Sequence, residues 1–118
     1  MNSVIESAFA DFMVPVSFLF YPGHAAAYVT YQETDIGEAS HAEDDVDNYK
    51  EYYDFDVFCS AAEHSKYFSV IAGIHEIMHD IGFMWEPTRD SSDLFEPDTG
   101  YFHKTICFSI ERSYILNG

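Results

Sequence analysis

The residue types most able to do chemistry lie in one short run, GIHEIMHDIG, from Gly73 to Gly82. His75 and His79 are four apart, and Glu76 directly follows the first histidine. On a helix, that spacing stacks both imidazoles on one face, where they can share one divalent cation. Glu76 turns about one hundred degrees away and can reach a metal-bound water without binding the metal. Zinc held in this way brings the pKa of its water toward neutrality, and the glutamate takes the proton as the water attacks a carbonyl. The expected chemistry is peptide-bond hydrolysis by a zinc metalloendopeptidase. His75 and His79 would be the metal ligands and Glu76 the general base. Catalytic zinc usually takes three protein ligands plus water. Glu86, Asp90, Asp93, Glu96 and His103 follow in the next stretch of chain and are the candidates for the third place. The plainer alternative is a packed helix whose histidines are satisfied by hydrogen bonds.

These residues need a scaffold, and the hydrophobic spacing suggests one. Val4, Ile5, Ala8, Phe9 and Phe12 recur at helical intervals, so 3–13 reads as an amphipathic helix ended by Pro15. VSFLFY (16–21) and AAYVTY (26–31) read as strands, separated by the Pro22-Gly23 turn signal. The stretch 33–56 is dense in acids, with Lys50 its only base, and reads as a long loop with an edge strand. It is not an EF-hand, because Lys50 stands where Asp45 as first ligand would require glycine. The histidine pair falls on a second helix, 66–81, whose Val70, Ile74, Ile77 and Ile81 form the core stripe. Gly82 stands where a helix C-terminus favours a positive φ. Residues 86–100 read as loop, and FSIERSYIL (108–116) reads as a last short helix with Ser109 as N-cap.

At 118 residues the chain fits one domain. Apolar residues make up 47%, with 11 Phe and 9 Tyr, which suits a small core of large side chains. The net charge of −16 excludes nucleic-acid binding by charge attraction and favours cationic partners or metal ions. The two cysteines, Cys59 and Cys107, fit neither a zinc ribbon nor a redox pair; one disulfide or two buried thiols both remain open. No apolar run is long enough to span a membrane, and the acidic N-terminal segment does not read as a signal peptide. No glycine-serine-glycine elbow supports serine hydrolase chemistry.

HEIMHDIGF resembles the zinc helix of the metzincin metallopeptidases, with Gly82 at the family's glycine. More widely, the chain is similar to the matrixin branch, the matrix metalloproteinase catalytic domain. VIESAFADFMVPVSF is similar to the first helix and following strand, AAYVTY to the next strand, and GEASHA to a histidine-bearing loop. DLFEP is similar to the turn beneath the metal, and FSIERSYILNG to the last helix. The resemblance implies an α/β (α+β) fold over 1–118: a small mixed twisted sheet, an active-site helix and a C-terminal helix, without the family's first strand. It implies zinc, calcium as a second ion, a peptide or protein substrate and a secreted location. It also places His41 at a structural-zinc site, and Asp54 or Asp56 among calcium carboxylates. The departures are specific. Trp85 replaces the third zinc histidine, and an indole N–H has no lone pair for a metal. Phe95 replaces the methionine of the turn, and Met78 the usual glycine before the second histidine.

Two other readings follow from these departures. In one, Trp85 blocks the metal and the domain is a pseudo-peptidase that serves as a binding module. In the other, the chain is an acidic interaction protein and the zinc pattern is incidental. A sheet lacking its first strand would leave an edge open to dimerisation or aggregation.

Overall fold

The computed structural model describes residues 2–40 and 48–113. His41, the acids Glu43, Asp44, Asp45 and Asp47, and the end of the expected last helix beyond Ser113 lie outside the described residues.

Helix α1 (Asn2–Ala8) leads into strand β1 (Val16–Phe18). Two long strands follow, β2 (Ala27–Ser40) and β3 (Asn48–Ser60). Helix α2 (His64–Asp80) precedes two short strands, β4 (Met84–Trp85) and β5 (Leu94–Glu96), and a long final strand, β6 (Tyr101–Ser113). The six strands form one mixed sheet in the order β1-β2-β3-β6, with β4 and β5 both on the outer edge of β6. Among the described residues, only the β1–β2 pairing is parallel. The fold is α+β with a mixed sheet, as the sequence led us to expect at that level, but it has one main helix.

Period-two alternation makes the central strands. Tyr53, Phe55, Val57 and Cys59 of β3 point to one face and are buried. In register, Phe55 lies between Tyr31 of β2 and Ile106 of β6, and Val57 beside Val29. The helices bring Ile5 and Phe9 from the α1 segment, and Tyr67, Val70, Ile74 and Met78 from α2, onto that face. Phe55 is the hub: its ring meets Phe9, Tyr31 and Phe108 at centroid distances of 5.5, 5.4 and 5.7 Å. Each such side chain contributes about 1.5–3 kcal/mol by leaving water. Gly73 lets the segment after α1 pack closely on α2, because a Cβ there would come within 2.7 Å of the Phe12 ring.

The sheet outruns its helical cover. Strands of 13 or 14 residues span about 45 Å, whereas the 17 residues of α2 span about 25 Å. Phe83, just after α2, packs on Tyr53 at 5.7 Å. Beyond that level β2, β3 and β6 continue as a three-stranded arm. The molecule measures 54 × 27 × 22 Å with a radius of gyration of 16.0 Å, against about 13.5 Å for a compact chain of this length. β1 covers β2 only from Val29 to Tyr31. It stops there because Leu19 turns into the left-handed region (φ 71°), held by its N–H bond to the Tyr31 carbonyl at 2.9 Å.

Several expectations are corrected. The acidic stretch is not a loop: within the described residues it forms the β2 and β3 strands, and Asp54 and Asp56 of β3 face away from the helices. The expected C-terminal helix is strand β6 to Ser113, and Ser109 is a buried strand residue rather than an N-cap. The DLFEP segment forms β5, not a turn. The first helix ends at Ala8. The buried stripe of α2 is Tyr67, Val70, Ile74 and Met78; Ile77 and Ile81 only flank it.

Candidate functional site

His75 and His79 both lie on α2, toward the β4 side. α2 ends in a Schellman arrangement: the Phe83 N–H bonds the Met78 carbonyl at 2.9 Å and the Gly82 N–H bonds the His79 carbonyl at 3.0 Å. Gly82 takes φ 96°, as its position predicted. The chain then turns into β4, where Trp85 pairs with Phe108 and lies on the helix side of the sheet.

That placement decides what His75 meets. Its ring stands edge-on to the Trp85 indole at 4.8 Å and to Phe108 at 5.2 Å. Burial among these rings lowers its pKa below the ordinary value; Asp90 opposes that shift and Lys104 adds to it. His75 is therefore half-buried against these two rings. His79 is well exposed, with its Nδ1 3.9 Å from the Asp80 carboxylate. Glu76 is exposed and lines a shallow hollow with Phe12, Met13, Gly73 and Ile77 against the α1 segment. It lies on the side of α2 away from Trp85.

The third-ligand candidates lie elsewhere, and all but Glu96 have side-chain partners of their own. Glu86 crosses to the opposite sheet face, where it accepts from the Ser109 hydroxyl and from Lys50 Nζ at 3.2 Å. These partners hold its carboxyl below the usual range, Ser109 most strongly. Asp90 takes the Trp85 indole N–H at 2.8 Å and the Cys107 backbone N–H at 2.8 Å. Asp93 accepts from the Tyr67 hydroxyl and lies 3.7 Å from Lys104. Glu96 sits on β5, paired with Tyr101. His103 Nε2 is 3.1 Å from Asp56, and its ring stacks on Phe58 at 4.3 Å. Among the described residues, no group of three His, Cys, Asp or Glu side chains is placed to hold a metal ion. The donors present around His75 and His79 fall short of the three that catalytic zinc uses.

The remaining candidates belong to the framework. Asp56 also accepts from the Thr105 hydroxyl at 2.6 Å. Asp54 lies beside Cys107 in register, and burial pushes its carboxyl up. Cys59 and Cys107 are both buried and unbridged. Cys59 faces the helices, whereas Cys107 faces the other way beside Asp54, and burial pushes its thiol up to about 12. Arg89 lies over the Tyr52 ring at 3.9 Å. Phe95 meets Phe102 at 5.1 Å.

Sequence reasoning anticipated an open sheet edge but missed the apolar residues exposed along both margins of the sheet. Among the described residues, no strand pairs with the outer edge of β2 beyond Tyr31, nor with the outer edge of β6 beyond Ser109. Both margins carry exposed apolar side chains: Phe18, Leu19 and Phe20 beside β2, and Met84, Trp85, Leu94 and Phe95 beside β6. The VSFLFY run was the available signal, since three consecutive apolar residues at a short edge strand cannot all face a core. No helix among the described residues is long and apolar enough to cross a membrane. No protein-family model matches the chain, and no curated protein matches it.

Proposed function

We propose that this chain is a binding module that associates by strand addition, with a second copy of itself as the simplest partner. The observation that carries this reading is the outer edge of β2 from Gln32 to Ser40, with which no strand pairs among the described residues. Such an edge presents unpaired N–H and C=O groups, which add an extended segment by main-chain hydrogen bonds. The exposed apolar residues on both sheet margins support it, since these are the side chains that association would remove from water. Because the two margins differ, pairing one with the other is head-to-tail and leads to rings or filaments. The metzincin resemblance enters this reading as the pseudo-peptidase alternative, with Trp85 against His75 in place of a third ligand.

The test is sedimentation of the purified chain with a Glu33→Pro variant. Val29 donates to Pro15 and Tyr31 accepts from Leu19, so by alternation the Glu33 N–H also points outward. Proline there removes an edge donor without removing a bond to β3. The wild type should show concentration-dependent association, and Glu33→Pro should weaken it at least about tenfold. A monomer at all concentrations rules out self-association.

The zinc endopeptidase is the second reading, favoured by one observation: His75, Glu76 and His79 do lie on a helix closed at Gly82. One tightly held zinc per chain, with peptide cleavage abolished by Glu76→Gln, would establish it over the binding module.

A further inference from the structure

At the end of the sheet opposite the arm, on the face away from the helices, lies a hollow of about 420 Å³. Tyr28, Phe58 and Tyr101 line it, with Glu96, Thr99 and the 23–25 loop at its rim. The strands bring these residues together by register, because Tyr28 pairs with Phe58 and Glu96 with Tyr101. The rings form a continuous stack: Tyr21 on Tyr28 at 4.7 Å, Tyr28 on Phe58 at 4.8 Å, with Tyr101 tilted at 6.1 Å.

The polar side chains around the hollow are Tyr28, Tyr101, Thr99, His24 and the Glu96 carboxylate. The Tyr101 hydroxyl donates to the Ala25 carbonyl at 3.2 Å, which leaves its lone pairs available. The Tyr21 hydroxyl already accepts the Ala25 N–H at 3.3 Å. The Tyr28 and Tyr101 rings and Glu96 share the lining of the hollow, and burial first, then Tyr101, Glu96 and Tyr21, raises the Tyr28 pKa, so its phenol stays neutral. Among the described residues, no cation pairs with the Glu96 carboxylate.

We propose that this hollow binds a primary alkylammonium group, with Glu96 as counter-ion and the Tyr28 and Tyr101 hydroxyls as further acceptors. An ammonium has three N–H donors and no acceptor, so it needs oxygens on several sides. The aromatic rings suit both its charge and its alkyl stem. A chain of net charge −16 also concentrates cations at its surface. The same chemistry is carried by a lysine side chain of a protein and by a free diamine. This site goes beyond the strand-addition reading and does not rest on it.

The test is an NMR titration at near-physiological salt, following the amide signals of Gly23 and Thr99. The probes are 1,5-diaminopentane, N-acetyl-lysine methylamide, the uncharged N-acetyl-norleucine methylamide and tetramethylammonium. Both primary amines should shift these signals and saturate, whereas the norleucine and tetramethylammonium probes should bind at least about tenfold more weakly. Glu96→Gln should weaken amine binding about tenfold or more, since a charge-assisted contact is lost. Glu96 is exposed, so this variant should keep the wild-type melting temperature. Tighter binding of the lysine probe points to a protein partner, and tighter binding of the diamine to a free ligand. Equal binding by norleucine or tetramethylammonium, unchanged binding by Glu96→Gln, or no saturation of any amine would overturn the proposal.

Discussion

At the scale of the residue, the question is what His75 does if it holds no metal. Its ring is packed on Trp85 and Phe108, so its neutral form is the one the fold favours. In the unfolded chain the imidazole takes a proton near its ordinary value of 6.5. In the fold, burial lowers that value. Below the unfolded pKa, the unfolded chain therefore binds more protons, and stability must fall as the pH falls. Between about pH 7 and 5 the wild type should lose stability in urea, and His75→Gln should lose measurably less over the same window. Equal pH slopes for the two proteins would mean that His75 is not desolvated. Trp85 completes this account. Its indole N–H goes to Asp90, so the residue that departs from the zinc motif is itself tied to the strand edge.

Elements determine how much of this was legible in advance. Helix α2 announced itself, because Val70 and Ile74 recur at helical spacing and Gly82 marks the stop. The rotation of its buried stripe was not legible: Tyr67 and Met78 are as plausible on a partly exposed face as in a core, and the sheet chose them. Strand β3 was hidden by its acids. Asp54 and Asp56 suggested a loop, yet they alternate with Tyr53, Phe55 and Val57 in the period of a strand with one buried face. Strand β6 gave no such alternation. Ile106, Cys107, Phe108 and Ser109 are all buried, because the 86–91 segment folds over its outer edge through Glu86, Asp90 and Ser91. A run buried on both faces cannot be told from a helix by periodicity. The C-terminal stop of α2 is a sharper test of the element. Ala has a Cβ that Gly82 lacks, and φ 96° disfavours it even though the space is open. Gly82→Ala should cost about 1–2 kcal/mol, read from the denaturation midpoint at unchanged slope. No loss would mean that the stop does not depend on the left-handed turn.

At the scale of the molecule, two tendencies oppose each other. The open sheet margins favour association, whereas each copy carries a net charge of −16. Like-charged copies repel over a range set by salt: roughly 30 Å at 0.01 M and roughly 8 Å at 0.15 M. The contacts proposed for association, main-chain hydrogen bonds and the side chains of Phe18, Leu19 and Phe20, depend far less on salt than that repulsion does. Added sodium chloride should therefore tighten assembly. From about 0.01 M to about 0.5 M salt, the dissociation constant should fall at least about tenfold. Glu33→Pro removes one acid as well as an edge donor, so repulsion alone would leave it associating slightly better than the wild type. The strand-addition account requires it to associate worse at every salt concentration. Association that weakens as salt rises would mean that ion pairs hold the copies together, and the contact would then have to be sought on a charged face of the sheet rather than at its edge.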